Sequence, residues 1–259
     1  MMWISPGIAL LLGLLVGSFL NVVIHRLPRK QSLIWPGSHC PSCGACIRPW
    51  DNIPLLSYVV LRGCCRSCGI HITGRYPTVE ALNGLAYGLI VWHFGLGYPS
   101  IIYAAFFSAL LVVSYIDLDY QIIPDAITLP GIAVGVLAAV MALPIGLLDS
   151  VLGLLLGGGV LFALAWISPY LFAKEGMGGG DIKLLAMIGA FLGWKPVLLT
   201  MLIGAILGAI IGVALIALKV LRRDQYLPFG PFLAFGAIIS MFFHQELFTW
   251  YITVVTRAH

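Results

Sequence analysis

The chain has 259 residues, of which 61% are hydrophobic and only 9% charged, with a net charge of +4. A soluble domain carries roughly 25% charged residues. The composition therefore excludes a water-soluble enzyme or a nucleic-acid-binding module, and describes an all-α polytopic membrane protein.

Eight apolar segments can be read, at roughly 6–24, 79–95, 99–116, 126–143, 149–172, 182–194, 196–218 and 229–252. A helix needs about 20 apolar residues to cross a bilayer. The segment at 182–194 is short for that. It is expected either to be buried by neighbouring helices or to span incompletely.

Residues 1–24, the first transmembrane helix, carry no Lys or Arg. Residues 25–78 carry seven: Arg26, Arg29, Lys30, Arg48, Arg62, Arg66 and Arg75. Cationic loops stay in the cytoplasm. With the N-terminus outside, an eight-helix count adds Lys174, Lys183, Lys219, Arg222 and Arg223 to the inner face. Only Lys195 and Arg257 then fall outside, so the N-out orientation is expected. The charges follow the first apolar stretch rather than precede it, which reads as a reverse signal-anchor, not a cleavable signal.

Residues 25–78 are the one sizeable polar stretch and hold all six cysteines. They read as a small cytoplasmic domain inserted between the first two helices. Cys40-Pro41-Ser42-Cys43 and Cys65-Arg66-Ser67-Cys68 are two CxxC pairs. Four such thiolates bind zinc tetrahedrally at about 2.3 Å. A metal would also supply folding energy to a segment too small for a good core. Disulfides or free thiols are the competing reading, and a reducing cytoplasm opposes disulfides. Cys46 and Cys64 are surplus, although Cys64 could replace Cys65 as a ligand. His39 and His71 flank the pairs and read as solvated loop histidines.

Residues 79–259 form the multi-helix membrane domain. Gly157-Gly158-Gly159 and the series Gly204, Gly208, Gly212 allow close helix approach and carry no chemistry. No internal repeat stands out. Two carboxylates do: Asp117, at the inner end of an apolar helix, and Asp181, after Gly178-Gly179-Gly180 at the start of another. A charge at membrane depth is costly and usually has a function. The topology puts both on the cytoplasmic face, where the pair can activate water. Asp119 is expected in the wet interface and Asp125 at a helix cap. Asp181 can also cap its helix. Lys174 and Lys183 read as interfacial anchors.

Several runs then acquire a common meaning. They are Gly17 to Pro28 (GSFLNVVIHRLP), the paired CxxC, Arg75 to Glu80 (RYPTVE), Asp117 to Asp125, Gly178-Gly179-Gly180-Asp181-Ile182-Lys183, and Pro228-Phe229-Gly230-Pro231-Phe232. Nearly end to end, the chain resembles the type IV prepilin peptidases, membrane aspartic proteases of the GxGD class. The resemblance implies that Asp117 and Asp181 are catalytic and that Cys40, Cys43, Cys65 and Cys68 hold structural zinc. It implies prepilin or pseudopilin precursors as substrates, in the lipid of a bacterial inner membrane. It also implies methylation of the new N-terminal residue from S-adenosylmethionine. Loop 25–78 and its junction with the first helix are the expected place for that step, with Glu80 a candidate contributor. Asn21, His25, Arg26 and Glu80 each have a structural reading as well: Asn21 bonding between helices, His25 and Arg26 anchoring at the interface, and Glu80 capping its helix. Asn83 stands where the family pattern suggests a small or hydroxyl residue.

Two rival classes remain on composition. A proton-coupled transporter would place its acids near the midplane within a repeated architecture. A non-enzymatic assembly factor would use the cysteine loop for docking and tolerate loss of both aspartates.

Overall fold

The computed structural model describes residues 4–172, 178–220, 222 and 227–257. Lys174 and Arg223, both used in the orientation argument, lie outside them. Among the described residues there is no strand. The long helices are α1 (Ile4–Arg26), α3 (Arg75–Phe94), α4 (Tyr98–Tyr120), α5 (Asp125–Met141), α6 (Gly146–Phe172), α7 (Gly179–Leu192), α8 (Trp194–Ala217) and α9 (Gly230–Arg257). A short α2 (Leu56–Val60) and a 3-10 turn (Pro49–Asn52) lie in the polar loop. Within α1, α4, α6, α8 and α9 are five stretches long and apolar enough to cross a membrane.

The chain divides into two compact units, Met1–Ile116 and Asp117–His259. In the first, small residues let α1 lie directly on α3. A methyl group on Gly13 would sit 2.7 Å from the Asn83 carbonyl oxygen, and one on Gly17 would sit 2.7 Å from the Glu80 Cα. Asn83 is fully buried. Its Nδ2 donates to the Gly13 carbonyl at 2.8 Å, and its Oδ1 accepts from the Ser108 hydroxyl at 2.8 Å. That satisfies a polar group that would otherwise be costly in a low dielectric. It also explains why an amide occupies this position: the side chain reaches across to two other helices. Asn21 bonds between helices too, through Nδ2 to the Tyr76 carbonyl at 3.1 Å.

In the second unit α7 is the central element. Every residue from Leu184 to Leu192 is buried. Fourteen residues make only about 21 Å of helix. The short segment is thus enclosed by neighbours, as one of the two sequence expectations held. Glycine makes that enclosure possible. A methyl group on Gly189 would overlap the Gly153 carbonyl of α6, and one on Gly153 would overlap that of Gly189. Gly157 meets the Leu185 carbonyl in the same way, 2.5 Å from where its Cβ would lie. Between α5 and α7, Gly131 faces Met187 and Gly135 faces Phe191. Along α8, Gly204, Gly208 and Gly212 face Leu233, Phe229 and Leu227, whereas Gly159 faces open space. Packing is therefore the role of all the singled-out glycines that touch anything. Gly189→Leu is expected to cost at least about 3 kcal/mol through overpacking against backbone that cannot yield. Thermal unfolding in detergent measures it, with Gly159→Ala as an unaffected control.

Candidate active site

Asp117 lies in the last turn of α4 and is 5% exposed. Its Oδ2 accepts the Gly230 backbone N–H at 2.9 Å. Gly230 opens α9, so this N–H is one of the first-turn donors that a helix leaves unpaired. A Cβ at position 230 would stand 2.8 Å from Oδ2. Glycine is the residue that lets the α9 backbone come this near the carboxylate. Asp117 Oδ1 remains for other work.

Asp181 lies in the first turn of α7, whose N-cap is Gly178. Its backbone N–H reaches the Gly178 carbonyl at 3.1 Å. The N-cap role is therefore filled by glycine, not by Asp181. A Cβ on Gly180 would come 2.8 Å from that of Ile123, so glycine also lets the start of α7 approach the α4–α5 connection. The charges on Asp117 and Asp181 lie close enough to act on one another. Asp119 is exposed, as expected of the wet interface. Asp125 is not the N-cap of α5, which is Pro124 with no side-chain cap bond. Both Asp125 oxygens accept from Lys183 Nζ at 2.8 Å, two residues beyond Asp181. Lys183 is thus an inter-helix tie rather than only an anchor.

The polar loop contains a second constellation. The Sγ atoms of Cys40, Cys43, Cys65 and Cys68 all lie within 4.8 Å of one another, with Cys40 and Cys68 at 3.9 Å. Four thiolates around zinc at about 2.3 Å would stand about 3.8 Å apart, so the donor set fits the ion. Backbone N–H groups of Cys43 and Ser42 pull the Cys40 thiol down, while desolvation and hydrogen bonds with the other three cysteines push the Cys68 thiol up.

The loop is also a repeat that the sequence reading missed. Cys40 N–H reaches the Ala45 carbonyl and Gly44 N–H the Cys40 carbonyl, both at 2.9 Å. Twenty-five positions on, Cys65 pairs with Ile70 and Gly69 with Cys65 at the same distances. Gly44 and Gly69 both adopt positive φ, at 69° and 71°. The surplus cysteines close the two knuckles: His39 bridges Cys46, and Cys64 bridges His71. Cys64 Sγ lies 3.9 Å from His71 Nδ1. The Cys/His order is swapped between the halves, which hides the repeat from a letter-by-letter comparison. Arg66 grips both oxygens of Asp51 at 2.9–3.0 Å through Nε and holds that carboxyl below its ordinary range.

Glu80 is buried on α3 rather than capping it. Its Oε2 accepts the Leu55 N–H at 2.9 Å, and it also bonds Ser18. It ties α1, α3 and the loop together.

The long apolar helices describe a membrane-embedded protein. Residues 11–94 match the bacterial peptidase A24 N-terminal domain, and residues 104–213 match the type IV leader peptidase family. A Pseudomonas aeruginosa protein named prepilin leader peptidase/N-methyltransferase is 39% identical, covering 94% of this chain and 92% of its own. Proteins of the same name from Aeromonas salmonicida and Burkholderia pseudomallei strain 1026b are 35% and 38% identical. They cover 98% and 91% of this chain, and 96% and 84% of their own lengths. No solved structure matches the chain. The chain belongs to the prepilin leader peptidase family, and it is a peptidase.

Proposed function

We propose that this protein removes the short basic leader of prepilins or pseudopilins at the cytoplasmic face of the bacterial inner membrane. The carrying observation is Asp117, buried at the end of α4, fixed by the Gly230 N–H and within electrostatic reach of Asp181. The eight long helices form the membrane body, with the N-terminus periplasmic. The loop between α1 and α3 and both aspartates then lie inside, on the side where the leader emerges.

Two nearby carboxylates do not both ionise readily, so the pair holds one proton between them. The ionised member takes a proton from water as it attacks the scissile carbonyl. The protonated member donates to the carbonyl oxygen; on collapse the proton taken from water passes to the leaving amine, and the other member recovers a proton from the intermediate's hydroxyl. The pair titrates as a unit, so the two roles belong to the pair. No covalent intermediate is required. The hydrophobic segment of the substrate lies in lipid beside the enzyme.

The relatives' name supports a second activity, transfer of a methyl group from S-adenosylmethionine to the newly exposed amine. A cavity of about 270 Å³ at the junction of α1 with the loop, walled by Ser18, Arg26, Gly37 and Asn52, is the candidate place. The Arg26 guanidinium is already committed there to the Ser32 and Gly37 carbonyls at 3.0 and 3.4 Å. Glu80 stands behind this wall through its bond to Ser18. Purified protein mixed with a precursor pilin should yield a shortened product, and adding S-adenosylmethionine should add one methyl group by mass spectrometry. An unshortened precursor would contradict the reading.

Zinc bound by Cys40, Cys43, Cys65 and Cys68 holds the loop fold together and takes no part in hydrolysis. Cys43→Ser or Cys68→Ser is expected to abolish zinc retention, measured as metal per chain. Cys46→Ser and Cys64→Ser should keep one zinc, because their partners are histidines of the knuckle turns. Loss of zinc on Cys64→Ser with retention on Cys65→Ser would reassign the ligand set.

A further inference from the structure

Antiparallel α8 and α9 pack closely, with the Thr200 hydroxyl donating to that of Ser240 at 3.1 Å. Beyond this contact they border an open cavity of about 340 Å³ lined by Lys195, Leu199, His244, Gln245, Phe248 and Thr249, with Lys195, Gln245, Phe248 and Thr249 exposed at its rim. Phe248 lies eighteen residues along α9 from Gly230, about 27 Å of helix. The cavity is therefore at the end of α9 remote from Asp117, near the other boundary of the membrane.

Its chemistry is mixed in a particular way. Lys195 Nζ lies 5.4 Å from the Trp194 ring and 5.8 Å from the Phe248 ring. Those rings orient the ammonium without neutralising it. No carboxylate pairs with Lys195 among the described residues. Asp149 lies beside Gly193 on the adjoining turn, but no ion pair joins it to Lys195. His244 Nδ1 is engaged with the Ser240 carbonyl at 3.0 Å, leaving Nε2 for another partner. Leu199 and Phe248 continue the wall as apolar surface. One cation, neutral polar groups and an apolar flank at a bilayer boundary suit a phosphate attached to acyl chains.

We propose that this cavity binds the phosphodiester headgroup of an anionic phospholipid, with Lys195 as its ion-pair partner, on the membrane face opposite the aspartates. A snorkelling lysine that only anchors α8 would need no cavity and would not discriminate among headgroups.

Native mass spectrometry of the full chain, released from nanodiscs of phosphatidylcholine with phosphatidylglycerol, tests this. Wild type should retain one phosphatidylglycerol in preference to phosphatidylcholine. Lys195→Gln should retain it roughly fivefold less, and Lys195→Arg should restore retention. Thr249→Phe, which fills the cavity and leaves Lys195 in place, should lower retention as well and covers the case of a poorly folding Lys195→Gln. Precursor cleavage in detergent should be unchanged in all three. Equal retention of the two lipids, or undiminished phosphatidylglycerol on Lys195→Gln or on Thr249→Phe, would overturn the proposal. Displacement of the lipid by millimolar inorganic phosphate would overturn it too, by showing a free-anion site instead.

Discussion

Asp117→Asn and Asp181→Asn should each slow precursor cleavage by about a thousandfold or more, since each removes both the base and the acid function from a shared pair. Asparagine keeps the size and planar shape of aspartate. At position 117 its amide oxygen can still accept the Gly230 N–H that now reaches Oδ2 at 2.9 Å. The fold around α4 and α9 is therefore expected to survive, and zinc content should stay at one per chain. Only proton cycling is lost. Methylation of a peptide that already lacks its leader should continue in both variants, because the place proposed for that step is the cavity where α1 meets the loop. The initial rate of product formation, read beside metal content and thermal unfolding, checks the expectation. An equivalent loss on Asp119→Asn or Asp125→Asn would point elsewhere, since Asp119 is exposed and Asp125 is engaged with Lys183.

Gly230→Ala should be the next most damaging change. The added methyl group would stand 2.8 Å from Asp117 Oδ2 and 3.3 Å from Cγ. Either the carboxylate turns away or the start of α9 retreats and the hydrogen bond lengthens. A displacement of about 1 Å in a positioned catalytic group costs roughly a hundredfold. The loss should fall on kcat, with KM little changed, because the added methyl group meets the Asp117 carboxylate. Gly230→Ala with unchanged kcat would mean that the contact is packing alone. Gly159→Ala, facing open space, is the matched control.

Much of this architecture can be read from the chain. The apolar segments coincide with long helices to within a few residues at most ends, because a run of apolar residues has few other outcomes in lipid. Family membership follows from short local strings such as Gly178 to Lys183. What could not be read is long-range. The Gly230–Asp117 contact joins residues 113 apart, and nothing local to Pro228–Phe232 announces its partner. Asp125 and Asp181 both stand where an aspartate most often caps a helix, so local preference suggested that role. Instead Asp125 meets Lys183, 58 residues away, and Gly178 takes the N-cap of α7 while Asp181 sits in its first turn. The loop failed differently: its repeat is carried by backbone bonds and two positive-φ glycines, while the closing residues are exchanged between His39–Cys46 and Cys64–His71. Asn83 departs from the family pattern, and its amide makes two buried bonds at 2.8 Å that no local string announces.

The central claim is that Asp117 and Asp181 work as one unit. Cleavage rates of the wild type, Asp117→Asn, Asp181→Asn and the double variant, on one precursor at one pH, test it most directly. Groups that act together are strongly non-additive. The account predicts that the double variant is no slower than either single variant, with all three folded and zinc-bound. Losses that multiply, or a single variant that cleaves at near wild-type rate, would contradict the shared pair.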